Sequence, residues 1–469
     1  MTTQLIGLVI MPVISRIYAP EAFGLASLFS NILIIPAIFT TMAYHNSIIL
    51  PKDDNTALNM SLVCVVLTLI ITGFTFIFIS IGFNSIITIF KTQQLSNFIW
   101  LAPVLILLHG LSQTFRFWNV RFKSFKILSV SRVMENLVNR GFILSLGLFG
   151  YVTGGSIIYS SLIALITKTL ILGYKWMEYI WKLKHHFSFH SLIAGAKRYR
   201  KFPTYTVWTE LVARAPEIII TLLIVYYFNE KVLGYYVFSL LVLSVPSNLF
   251  LNSITDAFQP RAAIAKHEGG HVELLEKVYL RLVSITFFPF IIIVLFGQTF
   301  FIFIFGANWA EAGIMAQIIA VRMFFSIVFS PSFTLVNIME KQELDLYKRL
   351  LIVMMVLVSM FIGGTYNDFY LALVLLTIFN CIITMGFGLY MMHIIEFPFM
   401  KVSKKLFYCY YSSFFLGFIL IMFKLWIDIN IILLLLLSFI SIVIYYFIVI
   451  YFDNEVRGIV LGLFKTTKA

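Results

Sequence analysis

The chain has 469 residues, of which 61% are hydrophobic and 12% charged, with 34 Lys+Arg against 21 Asp+Glu. A soluble globular domain carries about 45–50% apolar and about 25% charged residues, so a soluble enzyme is excluded, and the longest polar stretch, 175–203, is too short for a nucleotide-binding unit. What remains is an all-α polytopic membrane protein, whose basic excess belongs to loops retained in the cytoplasm rather than to a nucleic-acid surface.

A helix needs about 20 residues to cross a hydrocarbon core of about 30 Å. Cutting the chain at polar and Gly/Pro-bearing breaks gives fourteen expected spans, at 2–17, 23–44, 57–83, 95–115, 133–153, 155–174, 204–227, 233–257, 279–305, 312–338, 346–364, 369–393, 406–424 and 430–452. The first is short of a full crossing, which is consistent with a helix that begins upstream of Met1. It carries neither a basic n-region nor an A-x-A cleavage site, so it does not read as a signal peptide. Cys64, Cys381 and Cys409 lie in or beside apolar segments and offer no disulfide framework or metal spacing.

Positive charge orients the spans. With the N-terminus inside, the even-numbered loops and the C-terminal tail hold 26 of the 34 Lys+Arg, the odd-numbered loops hold four (Arg16, Lys91, Lys231, Lys424), and four (Arg140, Lys168, Arg214, Arg322) fall within spans. That imbalance places both termini in the cytoplasm.

The second and eighth spans share a skeleton. FGLASLFSNILIIP, from Phe23 to Pro36, lies beside LGYYVFSLLVLSVP, from Leu233 to Pro246, with Gly24/Gly234 and Pro36/Pro246 both offset by 210 residues. Pro12, Pro36, Pro103, Pro216, Pro246 and Pro331 occupy the first, second and fourth spans of each six-span half, with Pro289 outside the pattern. An even number of spans per copy gives two lobes of like orientation. The expected organisation is a six-helix lobe at 1–175, a basic cytoplasmic linker at 176–203, a second six-helix lobe at 204–395, and two additional helices with a tail at 396–469. Lobes of this kind can rock about a site between them, whereas the competing reading is a static duplicated scaffold.

Ionisable groups at mid-membrane cost about 2.5–3.5 kcal/mol each on insertion scales, so each needs a partner or a wet cavity. Glu210, Arg214 and Glu217, spaced four and three, share one face of the seventh span, with Pro216 among them. They read either as a cavity-facing cation flanked by carboxylates, suited to an anionic head group or a coupling ion, or as a self-neutralised structural pair. Arg322 has no acid at i±3 or i±4 and needs a partner from another helix or a ligand. Arg140 has Asn136, Asn139 and Glu135 near it in sequence, and Lys168 is expected to snorkel. His267-Glu268-Gly269-Gly270-His271 matches H-E-x-x-H in letters. Two interior glycines at about 1 kcal/mol each argue against the rigid helix that a zinc site requires. His185, His186 and His190 read as solvated surface. No G-x-x-x-x-G-K-[ST] is present, so the chain does not read as an ATP-driven pump.

Five phrases carry a family resemblance: PVISRIYAPEAFGLASLFSNI at 12–32, IILPK at 48–52, RFKSFKILSVSRV at 121–133, FQPRAAIAKHEG at 258–269 and FGANWAEAGIMAQIIA at 305–320. The sequence resembles the bacterial polysaccharide-transporter family, which includes the O-antigen and capsule-repeat flippases of the multidrug/oligosaccharidyl-lipid/polysaccharide exporter superfamily. It departs from that pattern at its start, where a basic lead is missing. The resemblance implies a non-enzymatic flippase in the bacterial cytoplasmic membrane, moving undecaprenyl-diphosphate-linked oligosaccharide to the outer leaflet without a cofactor. The first, second, seventh and eighth helices would line its cavity. Its implied partners are the lipid-linked oligosaccharide, membrane lipids and a polysaccharide polymerase with other export proteins. A diphosphate calls for Arg or Lys in a wet cleft, and the expected substrate-binding residues are Arg214, Glu210, Glu217, Arg322 and Arg140. The competing classes are a cation-coupled multidrug antiporter, which would want an acidic or aromatic cavity, and a membrane polymerase or glycosyltransferase, which would need catalytic loops outside the membrane.

Overall fold

The structure is a computed structural model describing residues 2–90, 93–183, 189–268, 270–339, 341–426 and 431–452. Among the described residues, fourteen helices have sixteen residues or more, one for each expected span. They are α1 (Thr2–Ile17), α2 (Pro20–Phe39), α3 (Asp54–Phe90), α4 (Ala102–Arg121), α5 (Phe125–Leu148), α6 (Gly154–Leu183) and α7 (Val207–Tyr227), followed by α8 (Glu230–Glu268), α9 (His271–Phe305), α10 (Ala310–Val328), α11 (Gln342–Thr365), α12 (Phe369–Ile394), α13 (Phe407–Trp426) and α14 (Ile431–Phe452). Ten of them, all but α1, α5, α7 and α8, meet the length and apolarity of a membrane crossing among the described residues. The chain is thus a multi-pass, all-α membrane protein. Two of the four exceptions have a chemical cause. Any 18-residue stretch of α5 contains Arg132, Glu135 and Arg140, and any such stretch of α7 contains Glu210, Arg214 and Glu217.

Several helices overrun their apolar middles. α3, α8 and α9 have 37, 39 and 35 residues, or about 52–58 Å at 1.5 Å per residue, against a core of about 30 Å. The expected tenth span divides at Phe329 into α10 and a short helix, Ser330–Ile338. Pro331 therefore stands in the first turn of a new helix instead of kinking a long one, and Pro103 likewise sits in the first turn of α4, where a missing N–H costs nothing. Pro12, Pro36, Pro216 and Pro289 lie inside helices. Much of the basic 176–203 segment is helical, through the end of α6 and a helix at Phe189–Arg198. Tyr44 Oη donates to the Ala196 carbonyl at 3.0 Å, which ties that short helix to the segment after α2. The histidines at 185 and 186 and the tail beyond 452 lie outside the described residues.

The chain packs as two compact units, Met1–Val237 and Phe238–Ala469. In the first, α6 lies against α5 and α4, α4 against α3, and α2 against both α6 and α7. Its core joins Trp118, Trp176, Phe115 and Cys64. Two polar groups there are bonded across helices, Trp176 Nε1 donating to Ser61 Oγ at 2.8 Å and Asn119 Nδ2 to the Leu172 carbonyl at 2.8 Å, whereas Trp118 Nε1 and Asn119 Oδ1 are buried without a hydrogen-bond partner among the described residues. In the second unit, α9 packs on α10, α13 and α14, and α12 packs on α11 and α10. Phe238 stacks on Trp309 at 3.8 Å between centroids. Tyr445 and Tyr446 of α14 donate to the Ser284 and Ile285 carbonyls of α9 at 2.8 and 2.9 Å.

One crossing in the first unit carries the 210-residue offset into three dimensions. A Cβ on Gly24 would overlap the Glu230 carbonyl oxygen, and a Cβ on Gly234 would overlap the Pro20 carbonyl oxygen. Pro20 and Glu230 are themselves 210 apart, so the two contacts exchange under the sequence duplication. Only glycine allows backbones this close. Glu21 and Lys231, also 210 apart, pair across the same crossing at 3.1 Å.

Candidate functional site

α7 is entered through a π-helical turn, Phe202–Thr206, and begins at Val207. Glu210 falls in its first turn, which runs on from the π-helical turn without a break, the Val207 N–H donating to the Phe202 carbonyl. One turn on, Arg214 Nη1 lies 3.4 Å from Glu217 Oε2, the two side chains being 61% and 56% exposed. Glu217 is thus the ion-pair partner, and Glu210 is half-buried on the same stripe. Pro216 has no N–H to give the Val212 carbonyl, which loosens α7 on the side away from the stripe. The pair is a single 3.4 Å contact between two substantially exposed side chains. Further along α7, Ile220, Ile224 and Val225 are buried, and α7 packs on α2, where Phe39 meets the Trp208 ring edge-on at 6.2 Å.

The other expected site residues stand apart from this stripe. Arg140 is half-buried on α5, its Nη1 lying 3.5 Å from Met11 Sδ of α1. Gly7 of α1 lies beside it, where a Cβ would make an ordinary contact with Arg140 Nη2 at 3.6 Å. Glu135 turns away to Lys168 of α6 at 3.0 Å. Lys168, expected to snorkel, thus has an acid on the neighbouring helix as its ion-pair partner. Arg322 belongs to the second unit, half-buried on α10 near Cys381 of α12, and makes no hydrogen bond or ion pair among the described residues.

Three features of the first unit escape the sequence reading. A cavity of about 190 Å³ between α2, α4 and α6 is lined in part by Ser30, His109 and Ser161, and Asn139 Nδ2 donates to Ser161 Oγ at 3.2 Å. An apolar groove of about 570 Å³ runs along α2, α3 and α7. Arg121 Nη2 bonds Asp54 at 2.7 Å while its Nη1 donates to the Pro51 and Ile48 carbonyls at 2.7 and 3.2 Å. All three depend on which helices become neighbours, and no spacing within one span carries that information.

The H-E-x-x-H letters do not form one helix. α8 ends at Glu268 and α9 begins at His271, with Gly270 at φ 100° between them. Their side chains lie outside the described set. Among the described residues no group of three His, Cys, Asp or Glu could hold a metal ion.

A family model described as "Polysaccharide biosynthesis protein" matches residues 13–314. Among solved structures, the chain is similar to an inward-closed lipid II flippase MurJ, with a TM-score of 0.70 and 14% identity over 97% of this chain and 98% of that one. It is also similar to an inward-facing multidrug resistance transporter of the MATE family in the MOP superfamily, with a TM-score of 0.61 and 14% identity over 86% of this chain and 95% of that one. A third likeness is to a MOP-superfamily transporter from Pyrococcus furiosus, with a TM-score of 0.51 and 14% identity over 86% of this chain and 93% of that one. At such identities it is the fold that is shared, the helical fold of MOP-superfamily transporters. No curated protein matches the chain by sequence.

Proposed function

The chain belongs to the polysaccharide biosynthesis protein family, and on that premise we propose that it is a flippase carrying undecaprenyl-diphosphate-linked oligosaccharide from the cytoplasmic to the outer leaflet by alternating access. The observation that carries this reading is Arg214, a cation in the body of α7 that is 61% exposed and paired with Glu217 at 3.4 Å. Arginine suits a diphosphate because its planar fork donates two parallel hydrogen bonds to phosphate oxygens. Glu217 serves as the resting counter-ion that the diphosphate displaces, and Glu210 sets the charge of the stripe. The similarity in fold to a lipid II flippase along nearly the whole chain supports a substrate built as a lipid-linked glycan. The chain does no covalent chemistry in this account. An ion gradient, the membrane potential or removal of product drives net flux.

Arg214→Ala and Arg214→Glu should abolish glycan export in cells while protein levels in the membrane stay normal, and Glu217→Gln should keep measurable export. Unimpaired export in the Arg214 variants removes the site assignment. A drug-susceptibility assay on the same strains separates the multidrug reading, in which resistance rather than glycan export would follow Arg214.

A further inference from the structure

Beside the charged stripe the first unit has a second surface of opposite character. The groove on α2, α3 and α7 includes Ile35 and Pro36, Phe74 and Phe78, and Ile218 and Leu222 in its lining. Thr75 is the polar side chain among its lining residues, and its Oγ1 already donates to the Ile71 carbonyl at 2.7 Å. The lining side chains of the groove are thus apolar or already satisfied, which suits hydrocarbon. Its outer wall is open, with Phe74, Phe78 and Ile35 substantially exposed, so a chain can enter it sideways from the lipid.

Its place on α7 decides the occupant. Arg214, Ile218 and Leu222 follow one another at i, i+4 and i+8, one stripe of the helix. The groove floor begins about 6 Å along the axis from Arg214 and reaches about 12 Å from it. Hydrocarbon gains little by leaving a lipid environment for an equally apolar groove, so the affinity must come from the attached head group, and the groove fixes where the tail lies. An anion gripped by Arg214 has its own first tail carbons at the mouth of this groove. Walls of rings and branched side chains pack against methyl branches along a chain.

We propose that the groove seats the head-proximal part of the isoprenoid chain of the lipid carrier whose diphosphate Arg214 holds. The proposal rests on the reading of Arg214 given above and adds the site for the tail.

The test uses the full chain in phosphatidylethanolamine/phosphatidylglycerol vesicles and a polyprenyl diphosphate bearing a diazirine on its chain. Irradiation should label peptides containing residues 71–79 or 218–222. Excess unlabelled polyprenyl diphosphate should compete, and added phosphatidylglycerol should not. Leu222→Trp, which fills the groove, should lower labelling about tenfold, equivalent to about 1.4 kcal/mol. Ile35→Trp, on the exposed wall, should lower it in the same direction, and it guards against a folding defect at the more enclosed position. Label displaced equally by phosphatidylglycerol, or spread over other lipid-facing helices, overturns the proposal in favour of ordinary bilayer lipid. Groove label that persists in Arg214→Gln upholds the tail site and removes Arg214 as the head-group ligand, so the two readings fail separately.

Discussion

Arg121 sits where two of the family-like phrases meet, its side chain 10% exposed and spread over the Ile48 and Pro51 carbonyls and the Asp54 carboxylate. Hydrogen bonds involving a charged group contribute about 1.5–3 kcal/mol, more than neutral ones. Arg121→Ala should cost about 2–4 kcal/mol, read as a lower midpoint of thermal unfolding in detergent. Arg121→Lys should recover part of it, because an ammonium reaches one partner but not the forked set. Both phrases are visible in the sequence. Their meeting is not, because it requires α3 and α4 to pack. His45, in the 3₁₀ turn Tyr44–Ile49 outside the spans, is a second case. It bonds Thr41 Oγ1 at 2.6 Å and lies 4.7 Å from the Phe117 ring. Burial, with the charges of Arg116 and His109 adding to it, pushes its imidazole down to about 4. Between its ordinary value of about 6.5 and about 4, the unfolded chain takes up a proton that the folded chain refuses. Stability should therefore fall as pH drops through that window, by at most about 3 kcal/mol. Thermal unfolding at pH 7.5 and 4.5 should show that share of the acid sensitivity missing in His45→Gln.

At the scale of the helix, the Gly24–Gly234 crossing gives the duplication a physical consequence. Both glycines meet backbone carbonyls, which cannot swing aside as a side chain could. Gly24→Ala and Gly234→Ala should each cost about 1–3 kcal/mol by forcing α2 and α8 apart. One separation relieves both contacts, so the double variant should cost little more than either single one. Fully additive losses in detergent unfolding would show that the two contacts are independent, against the paired geometry. The 210-residue offset made these positions legible beforehand, because Gly and Pro leave marks that survive divergence of the apolar residues around them. Other element-scale features were hidden. Polarity marks where a helix leaves the bilayer but not where it stops, so α3, α8 and α9 overrun their expected ends. Pro103 and Pro331 looked alike to Pro36 in sequence, and only the hydrogen-bonding register distinguishes a first-turn proline from an interior one.

At the scale of the molecule, the charge pattern and the helix pattern constrain each other. The inside-rich distribution of 26 Lys+Arg against four holds only if the number of crossings between successive loops is right, and a single miscounted helix would invert every loop after it. α1, α5, α7 and α8 are the helices where such an error would enter, because apolarity alone does not identify them. For α5 and α7 the polar character was nevertheless legible as charges inside spans. What remained hidden is how each charge is settled: Lys168 by Glu135, Arg214 by an exposed contact to Glu217. The count can be tested in both halves at once by single-cysteine labelling in intact cells. The native thiols give little background, since Cys64 and Cys409 are buried and Cys381 is half-buried. Lys52, exposed between α2 and α3, is expected in an inner loop, and Tyr366, 74% exposed between α11 and α12, in an outer one. A membrane-impermeant maleimide should label Tyr366→Cys at once and Lys52→Cys only after permeabilisation. Among the described residues, nine of the fourteen long helices lie between the two positions, α3 to α11, an odd number that puts them on opposite sides if each of the nine crosses. Labelling of both residues from outside would mean that one of the nine fails to cross. The basic loops beyond it would then face outward, against the charge rule that oriented the chain.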